Sequence, residues 1–409
     1  MNGTRRSLLR AAGSMGVLGS VAGVPGVGTV AARQEGYDVV RVPADHDTIQ
    51  AGVDAAAAGD LVLISPGTYA EEVDVTTPDI TLRGEDRNGV LLDGGFERTH
   101  AVHVQADGVA VENVTARNYE VNGFYWTQVE GFRGSFLTAS NNGNYGIYAY
   151  GSRDGRFEHS YASGHPDAGY YLGRNQPYEA VIDDVVAEHN AMGYSGTSTG
   201  PDLTIRNSLW RNNMAGIVPN TLSDSESPER ASTIVGNEVT GNDNRDAPAK
   251  SLTFQTFGMG IVLWGGSENV VEDNDVTDHE HFGVVAQPNV VEPSGNVVRN
   301  NRVSGSGVAD LALGEPAGEG NEFAGNEFAT SLPEGIQTDA SAGSAEVTAV
   351  FDEHAELADE GEYPNGDWRE QPLPGDQPTM PDPMAAPRVA DKTTSWEAAT
   401  SQTDAVRDS

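Results

Sequence analysis

The sequence lacks cysteine altogether and contains almost no lysine. Its 409 residues include no Cys, and among 24 basic residues only Lys250 and Lys392 are lysines. The missing thiols exclude disulfide bonds, cysteine nucleophiles and thiolate metal ligands within this chain. The 61 acidic residues leave a formal charge of −37, which argues against nucleic acid or an anionic lipid surface as a partner, because their phosphates would repel the protein.

Long hydrophobic runs are also absent. A weakly apolar stretch up to Ala32 follows the pair Arg5-Arg6, but glycines interrupt it too often for a membrane-spanning helix. A double arginine before such a stretch resembles a twin-arginine export signal, which we place at residues 1–32. The alternative is a disordered basic leader. We expect a secreted, extracellular protein without a transmembrane anchor.

The acidic residues are spread along the chain rather than collected in one segment. A dense carboxylate surface stays hydrated in brine, where salt screens the repulsion between like charges. The composition therefore predicts a protein from a halophilic environment. An ordinary acidic surface is the alternative.

The composition changes near the C-terminus. Residues 331–409 are acidic and rich in proline, with Pro372-Leu373-Pro374 and Pro381-Asp382-Pro383 as examples. Such a segment buries little apolar surface, so we expect a largely disordered tail, above all after Asp367.

A glycine followed by apolar or aromatic residues recurs through the middle of the chain. The intervals are 23, 23, 24, 23, 44 and 23 residues, and the glycines are Gly123, Gly146, Gly169, Gly193, Gly216, Gly260 and Gly283. We interpret the interval of 44 as one repeat that carries two loops, at 220–231 and 243–257. A regular period of this length is typical of a solenoid built from stacked repeats.

Each repeat contains short strands separated by Asn, Gly and Asp turns, with no helical periodicity. This pattern predicts an all-β fold, a parallel β-helix of about 23 residues and roughly three strands per coil, over residues 38–330. The segment Asp47–Ala58 predicts an amphipathic helix with Asp47 as its N-cap. Such a helix would close the open N-terminal end of the core.

The first coils resemble a known superfamily. The matching segments are Thr48-Ile49-Gln50, Gly59-Asp60-Leu61-Val62, Pro66-Gly67-Thr68-Tyr69 and Ile80-Thr81-Leu82-Arg83-Gly84. They resemble the right-handed parallel β-helix proteins of the pectin-lyase-like superfamily, and the chain also resembles secreted β-helix repeat proteins of haloarchaea and actinobacteria. The superfamily includes polysaccharide lyases, hydrolases, esterases, uronan epimerases, tailspikes and accessory proteins. Because the motifs of its known enzymes are missing, the resemblance carries over no catalytic residue.

Aromatic residues recur at one position of the repeat. If the residues one and three places after each glycine face inward, then Tyr125, Tyr148 and Tyr171 face outward on adjacent coils. Exposed aromatic faces with hydroxyl groups suit sugar rings. We predict a substrate-binding face that includes further aromatic and basic residues, namely Tyr150, Arg153, Arg174 and Trp264. Ordinary stacking on a pleated surface is the alternative.

A second row of polar residues precedes the glycines by four positions. His165 and His189 occupy it on neighbouring coils, so we expect their Cβ atoms about 5 Å apart. With Asp167 and Tyr171 they form the candidate catalytic cluster, in which an imidazole or phenol acts as a general base or a metal is bound. A hydrogen-bonded turn ladder is the alternative.

A metal site is a weaker prediction. His279 and His281 are two residues apart and would share a face on a strand, where they could ligate copper or zinc. No third ligand is evident in the sequence, and the residues do not indicate which cofactor, if any, the protein uses.

Two functions remain open at this point. The first is a secreted β-helix that binds or modifies a polysaccharide, with a lyase- or epimerase-like mechanism on uronates, or a glycosidase activity. The second is a non-catalytic cell-surface or periplasmic-type accessory protein, including one that handles a metal. Fold alone does not decide between them.

Overall fold

The structure is a computed structural model that describes residues 36–174, 176, 179–222 and 227–387. The predicted export signal lies outside these residues. Thirty-three strands and three helices follow one another along the described chain. Among these helices, none is both long and apolar enough to cross a membrane.

The elements of the first half are β1 (Val39–Val42), α1 (Ile49–Ala55), β2 (Leu61–Ile64), β3 (Gly67–Tyr69), β4 (Val73–Val75), β5 (Thr81–Gly84), β6 (Val90–Asp93), β7 (His100–Val104), β8 (Ala110–Glu112), β9 (Thr115–Arg117), β10 (Asn122–Thr127), β11 (Glu130–Ser135), β12 (Thr138–Ser140), β13 (Tyr145–Tyr150), β14 (Arg153–Glu158), β15 (Tyr161–Ser163), β16 (Ala168–Gly173), β17 (Ala180–Asp183) and β18 (Val186–Glu188). Those of the second half are β19 (Met192–Thr197), β20 (Leu203–Arg206), β21 (Leu209–Arg211), β22 (Ala215–Asn220), β23 (Ser232–Val235), β24 (Glu238–Thr240), α2 (Ser251–Phe254), β25 (Met259–Trp264), β26 (Val270–Glu272), β27 (Asp275–Thr277), β28 (Phe282–Gln287), β29 (Val297–Arg299), β30 (Arg302–Ser304), β31 (Ala309–Leu313), β32 (Glu322–Ala324), β33 (Ser331–Leu332) and α3 (Ala345–Glu360).

The strands form three parallel sheets that wind into a right-handed solenoid. Sheet I has twelve strands, in the order β1-β2-β5-β8-β11-β14-β17-β20-β23-β26-β29-β32. Sheet II has eleven, in the order β4-β7-β10-β13-β16-β19-β22-β25-β28-β31-β33, and sheet III has ten, in the order β3-β6-β9-β12-β15-β18-β21-β24-β27-β30. From β2 to β31 successive strands join sheets I, III and II in turn, which confirms the predicted parallel β-helix of short coils.

Side chains alternate between the interior and the outer surface, as the repeat predicts. In sheet II, Phe124 and Trp126 point inward and are fully buried, whereas Tyr125 between them is only partly buried. Tyr125 pairs in register with Tyr148 of the next coil. The inward side chains therefore form a continuous apolar column, and the outward side chains of successive coils form rows on the outer surface.

The repeat glycines are required by close approach of neighbouring coils. A Cβ atom on Gly146 would lie 2.7 Å from the carbonyl oxygen of Gly169 and 2.7 Å from the His165 ring. Real Cβ atoms do not come that close, so a larger residue would push the coils apart. This packing explains why the glycine recurs with the period of the coil.

The interval of 44 residues is one coil with two loops. Strand β22 pairs directly with β25, with Ile217 opposite Ile261 and Asn220 opposite Trp264. The intervening strands β23 and β24 belong to sheets I and III. The two insertions therefore leave the stack of coils uninterrupted, as the sequence predicts.

Helix α1 closes the N-terminal end of the core. Its Ile49 and Val53 are buried in the same apolar cluster as Val42 and Val62. The N-cap is Thr48 rather than the predicted Asp47, because the Thr48 hydroxyl accepts a hydrogen bond from the amide of Ala51 at 3.1 Å. The helix ends at Ala55, three residues earlier than predicted.

The prediction of a largely disordered C-terminal tail is wrong for residues 331–387. Helix α3 packs on the outer face of sheet II, where Val347 and Phe351 join Val262 and Val285 in one buried cluster. Beyond α3 the chain runs in extended form over the body of the solenoid. This proline-rich segment has too few apolar residues to form a core of its own. Polar side chains of distant coils bind its backbone instead, and the composition does not reveal these contacts.

The strap, which we define as residues 367–387, returns to the N-terminal coils. The guanidinium of Arg83 donates hydrogen bonds to the carbonyl oxygens of Pro383 at 3.0 Å and Ala385 at 2.6 Å. The side-chain oxygen of Asn113 accepts hydrogen bonds from the amide of Met380 and the hydroxyl of Thr379, both at 2.8 Å. Arg83 and Asn113 are fully buried. The strap is therefore part of the packed structure.

Candidate functional site

The outer face of sheet II is open to solvent on only a few strands. Strands β7, β10 and β13 carry partly exposed outward side chains, whereas all six residues of each strand from β16 to β28 in this sheet are buried. We call the outer face of β7, β10 and β13 the open tract. It contains the partly exposed residues His100, His103, Tyr125, Thr127, Tyr145, Tyr148 and Tyr150.

A column of stacked rings runs along this tract. His103, Tyr125 and Tyr148 pair in register on β7, β10 and β13. The ring centroids of His103 and Tyr125 are 4.7 Å apart, and those of Tyr125 and Tyr148 are 4.6 Å apart. We call these three residues, together with Tyr171 on β16, the tyrosine row. Its ring spacing matches the distance between adjacent strands.

Stacking changes what the row offers to a ligand. The face of Tyr125 is covered by His103 on one side and by Tyr148 on the other, at interplanar angles of 7° and 27°. The ring faces are therefore occupied within the protein, and the edges and hydroxyl groups remain available. The predicted face for stacking sugar rings is, at Tyr125, a row of hydrogen-bonding groups instead.

The His103 ring is held by polar neighbours on both sides. Its Nε2 lies 3.0 Å from the Thr127 hydroxyl, and its Nδ1 lies 2.9 Å from the Gln105 amide nitrogen and 3.4 Å from an Asp74 carboxylate oxygen. With the amide donating to Nδ1, the ring proton sits on Nε2 and is donated to Thr127. If the ring takes up a second proton, the Asp74 carboxylate stabilises the imidazolium that forms.

Burial sets the charge state of the histidines at the N-terminal end of the tract. It lowers the pKa of His103, although the carboxylate of Asp74 opposes this effect. It also lowers the pKa of His100, whose ring centroid is 5.8 Å from that of His103. Both imidazoles are therefore neutral near pH 7 and able to accept a proton.

The tyrosines have the opposite chemistry. Burial and neighbouring tyrosines raise the pKa of Tyr148, and burial raises the pKa of Tyr145 well above its ordinary value. The pKa of Tyr171 rises to about 12, mainly through burial. These phenols stay protonated at neutral pH, so they act as hydrogen-bond donors or acids. The predicted role of Tyr171 as a base does not fit this charge state.

At the other end of the tract, a loop brings a lysine to the tyrosines. The Lys250 ammonium lies 3.0 Å from an Asp167 carboxylate oxygen, forms a hydrogen bond with the Asn144 side chain, and lies 5.8 Å from the centroid of the Tyr145 ring. Burial and the neighbouring Asp167 carboxylate raise the pKa of the Tyr145 hydroxyl. Burial raises the pKa of Asp167, and the nearby ammonium opposes that rise.

The predicted cluster of His165 and His189 does not form. His165 is fully buried within an asparagine ladder, where its Nδ1 lies 2.8 Å from the Asn190 side-chain oxygen and its Nε2 lies 3.1 Å from the Asn142 side-chain nitrogen. The ladder step from His165 to Asn190 is 25 residues, two more than the 23 residues from Asn142 to His165, so Asn190 and not His189 takes the next ladder position. His189 occupies the preceding left-handed turn position, with φ of 60°.

The ladder explains the chemistry of His165. Burial lowers the pKa of its imidazole to about 4, so it is neutral and serves as a hydrogen-bonded spacer between asparagines. No bulky substrate reaches a side chain with no exposed surface. His165 is therefore a structural residue. Of the predicted catalytic cluster, only Asp167 and Tyr171 lie together, Tyr171 in the tyrosine row and Asp167 near it.

Tyr171 and Trp264 are less exposed than the sequence predicts. Tyr171 keeps 6% of its surface exposed, and its hydroxyl lies over Gly173, where a Cβ atom would overlap it. Trp264 keeps 7%, because helix α3 covers it and places Phe351 with its ring centroid 6.2 Å away. Trp264 is therefore a packing residue, whereas Tyr148 and Tyr150 stay on the open tract.

The predicted arginines lie at the turn between sheets II and I. Arg153 begins β14 and its guanidinium is 3.4 Å from the Glu130 carboxylate, with both side chains about half exposed. Arg174 directly follows β16 and is exposed. The charge of Arg174 opposes the rise in the pKa of Tyr171, and Lys250 is a further basic side chain, which the structure brings to Tyr145.

The predicted metal pair is divided between two environments. His279 is buried in the same asparagine ladder as His165, where its Nδ1 accepts a hydrogen bond from the amide of Asn242 at 3.2 Å. His281 instead packs against His354 of helix α3, with ring centroids 4.7 Å apart. Residues 279–281 form a turn between two strands, so the two imidazoles do not share a face. Across the described part of the chain, no group of three His, Asp or Glu side chains could hold a metal ion.

Sequence reasoning missed His103, Asp74 and Lys250. His103 precedes Tyr125 by 22 residues, which is close to the period of the coils, so the repeat carries a signal for it. That signal is hidden because Ala101 occupies the position at which the later coils have their repeat glycine. The position of Lys250 depends on how loop 241–258 folds back across three coils. No spacing in the sequence reveals that.

Solved structures to which this chain is similar include epimerase modules and a viral protein. The A-module of the mannuronan C-5 epimerase AlgE6 of Azotobacter vinelandii is 17% identical, covers 69% of this chain and 92% of its own, and has a TM-score of 0.47. The AlgE4 A-module of the same organism is 17% identical, with 70% and 95% covered and a TM-score of 0.47. ORF18 of Geobacillus virus E2 is 11% identical, with 71% and 63% covered and a TM-score of 0.45. At these values the likeness concerns the fold alone.

Sequence comparison identifies the family. No curated protein sequence matches this one significantly, and the resemblance to proteins of haloarchaea and actinobacteria stays a prediction. The family model described as "Right handed beta helix region" matches residues 88–227 and 222–349, which is more than half of the chain. Together with the three parallel sheets and their register, this match shows that the chain belongs to the right-handed β-helix family.

Proposed function

We propose that this protein binds a polysaccharide along the open tract. The observation that carries the proposal is the tyrosine row, in which successive coils present phenol and imidazole edges at intervals of 4.6–4.7 Å. A regularly spaced row of hydroxyl donors and acceptors suits a ligand that itself repeats hydroxyl groups along its length. The flat, solvent-facing outer surface of a parallel sheet leaves room for an extended chain.

The chemistry of the row favours proton transfer as the accompanying reaction. His103 is neutral, has Asp74 to stabilise its charged form, and lies beside Tyr125. In a lyase- or epimerase-like reaction on a uronate, an imidazole of this kind takes the proton next to the carboxylate. A protonated tyrosyl hydroxyl then gives a proton to the leaving oxygen, or to the opposite face of the carbanion. His103 replaces His165 and His189 as the candidate base.

A non-catalytic role on a cell surface or as an accessory protein remains the second candidate. It is favoured by the asparagine ladder, which places both buried histidines of the inward row, His165 and His279, in structural positions. In that case the tyrosine row binds a glycan without converting it. A glycosidase is less favoured, since the exposed carboxylates Glu72 and Asp74 both act on His100 from the β4 end of the open tract, and the tyrosine row itself carries no carboxylate.

The test is incubation of the protein, in molar sodium chloride, with alginate, polygalacturonate and neutral glucans. Ultraviolet absorbance of unsaturated products, reducing ends and retardation in polysaccharide-containing gels are measured together. Absorbance that disappears in His103→Gln supports proton abstraction by His103. Retardation without products supports the binding role alone, and the absence of all three signals contradicts the proposal.

The matched control is His159→Gln. His159 also pairs with a carboxylate, since its Nδ1 lies 2.6 Å from an Asp184 oxygen, but it lies between sheets I and III and far from the tyrosine row. Loss of activity in both variants would indicate a general effect on the fold. Loss in His103→Gln alone, with unchanged thermal stability, assigns the proton transfer to the open tract.

A further inference from the structure

The open tract is closed at one end. Its outward rows continue beyond β13, but from β16 to β28 every residue of sheet II is buried. Helix α3 covers much of this part, where Val347 and Phe351 belong to one buried cluster with Val218, Val262 and Val285. A ligand that lies along the solenoid axis therefore meets protein after the coil of Tyr148.

The closing coil presents polar groups rather than an apolar edge. Loop 241–258 reaches back across three coils and places Lys250 beside Asp167 and Tyr145. The Lys250 side chain is 44% exposed, and Asp167 keeps 17% of its side chain exposed. Ammonium, carboxylate and phenol groups thus meet where the tract ends, and together they can donate and accept hydrogen bonds. We call these three residues the polar wall.

The opposite end of the tract is open. The row continues from His103 to Asp74 on β4, and the Asp74 side chain is 66% exposed. Between the row positions of His103 and Tyr171 there are three coil steps, or about 14 Å. The tract therefore has a limited length, one free end and one end that carries hydrogen-bonding groups.

We infer that the open tract receives the end of a polysaccharide chain, with the terminal sugar unit against the polar wall. This inference rests on the proposed function and adds which part of the polymer is bound. The hydroxyl groups of a terminal unit find donors and acceptors at Lys250 and Asp167. An internal unit in the same place would have to continue into the space that helix α3 and loop 241–258 occupy.

The first experiment measures how many protein molecules bind to each polysaccharide chain. Alginate, polygalacturonate and a soluble glucan are fractionated by chain length, and sedimentation velocity is measured at saturating protein in molar salt. End recognition predicts the same number of bound proteins per chain at every length. Binding that increases in proportion to chain length overturns the inference but leaves the proposed function intact, whereas no binding to any fraction contradicts the proposed function itself.

The second experiment removes the polar wall. The single variant Lys250→Met leaves the Asp167 carboxyl without its cation. The double variant Lys250→Met/Asp167→Asn, which keeps the site neutral, is therefore measured as well. Loss of one charged hydrogen bond predicts about tenfold weaker binding of short oligosaccharides from the same polymer. Lys250→Arg is expected to restore most of the affinity.

Arg211→Met is the matched control. Its guanidinium pairs with Glu188 at 2.7 Å and its side chain is 45% exposed, close to the value for Lys250, but it lies on β21 of sheet III. Binding is expected to be unchanged in this variant. Unchanged binding in the double variant, with normal thermal stability, overturns the role of the polar wall.

Discussion

The imidazole of His103 lies parallel to the phenol of Tyr125, with an interplanar angle of 7° and centroids 4.7 Å apart. The two residues are on adjacent coils, in register, and both belong to the open tract. This pairing joins a proton acceptor to a column of hydroxyl donors.

Tyr148→Phe is expected to weaken polysaccharide binding about fivefold, because it removes one hydroxyl hydrogen bond of about 1 kcal/mol and keeps the stacked ring. Affinity gels or calorimetry measure the change. Tyr194→Phe is the control, since Tyr194 lies fully inside the solenoid. Equal affinity for Tyr148→Phe and the unaltered protein would show that the hydroxyl row does not contact the ligand.

The rate of any proton-abstraction reaction is expected to fall at acidic pH. The pKa of His103 lies below its ordinary value of 6.5 because of burial, so the base is neutral above that lowered pKa and becomes protonated below it. A profile of kcat/KM against pH should therefore lose activity on the acid side. Asp74→Asn, which removes the opposing carboxylate, should move this limb to lower pH; a profile that does not move would argue against His103 as the base.

The free energy of unfolding is expected to decrease as the pH falls from about 6.5 to about 4 because of the buried histidines. Burial lowers the pKa of His165, His279 and His354 from 6.5 to about 4. Between these values the unfolded chain binds more protons, so the contribution is complete above pH 6.5 and is lost toward pH 4. Glu229, whose pKa burial raises to about 7, acts in the opposite direction.

His165→Asn isolates the histidine contribution. Asparagine fits between Asn142 and Asn190 in the same ladder, so the fold should be kept. At pH 5 the loss of stability relative to pH 8 is expected to be smaller in the variant by about 2 kcal/mol. Urea unfolding at both pH values measures this difference, and identical pH dependence in the two proteins would contradict the assignment.

Removal of the strap is expected to destabilise the N-terminal coils. A chain that ends at residue 366 leaves the guanidinium of Arg83 and the side chain of Asn113 without their strap partners, at a cost of about 3 kcal/mol or more. Thermal unfolding and hydrogen exchange of residues 81–117 measure the effect. A chain that ends at residue 387 keeps the strap and serves as the control.

Salt is expected to stabilise the fold. A formal charge of −37 produces repulsion that screening reduces, so the melting temperature should rise as sodium chloride increases from about 0.1 M to molar concentrations. Differential scanning calorimetry measures this rise. A melting temperature that stays constant or falls across the series would contradict the predicted halophilic adaptation.

Part of the site is visible in the sequence and part is not. The outward position of Tyr125 and Tyr148 follows from the alternation around the repeat glycines, so it was predictable. The separation of His165 from His189 was not, because the ladder step in this coil is 25 residues, whereas the glycine interval of 24 residues points to His189. A shift of one residue exchanges inward, turn and outward positions, and nothing in the composition of that coil marks it.

The sequence by itself determined the solenoid, its period, the coil with two loops and the helix at the N-terminal end. These features depend on contacts between equivalent positions of neighbouring coils, and a regular spacing records them directly. Only the tertiary structure decided that Lys250 reaches Tyr145, that helix α3 covers Trp264 and that the strap binds Arg83. Those contacts join segments that are far apart in the sequence and are not related by the period of the repeat. They are stabilised by burial and hydrogen bonding between these segments, which no local sequence pattern records.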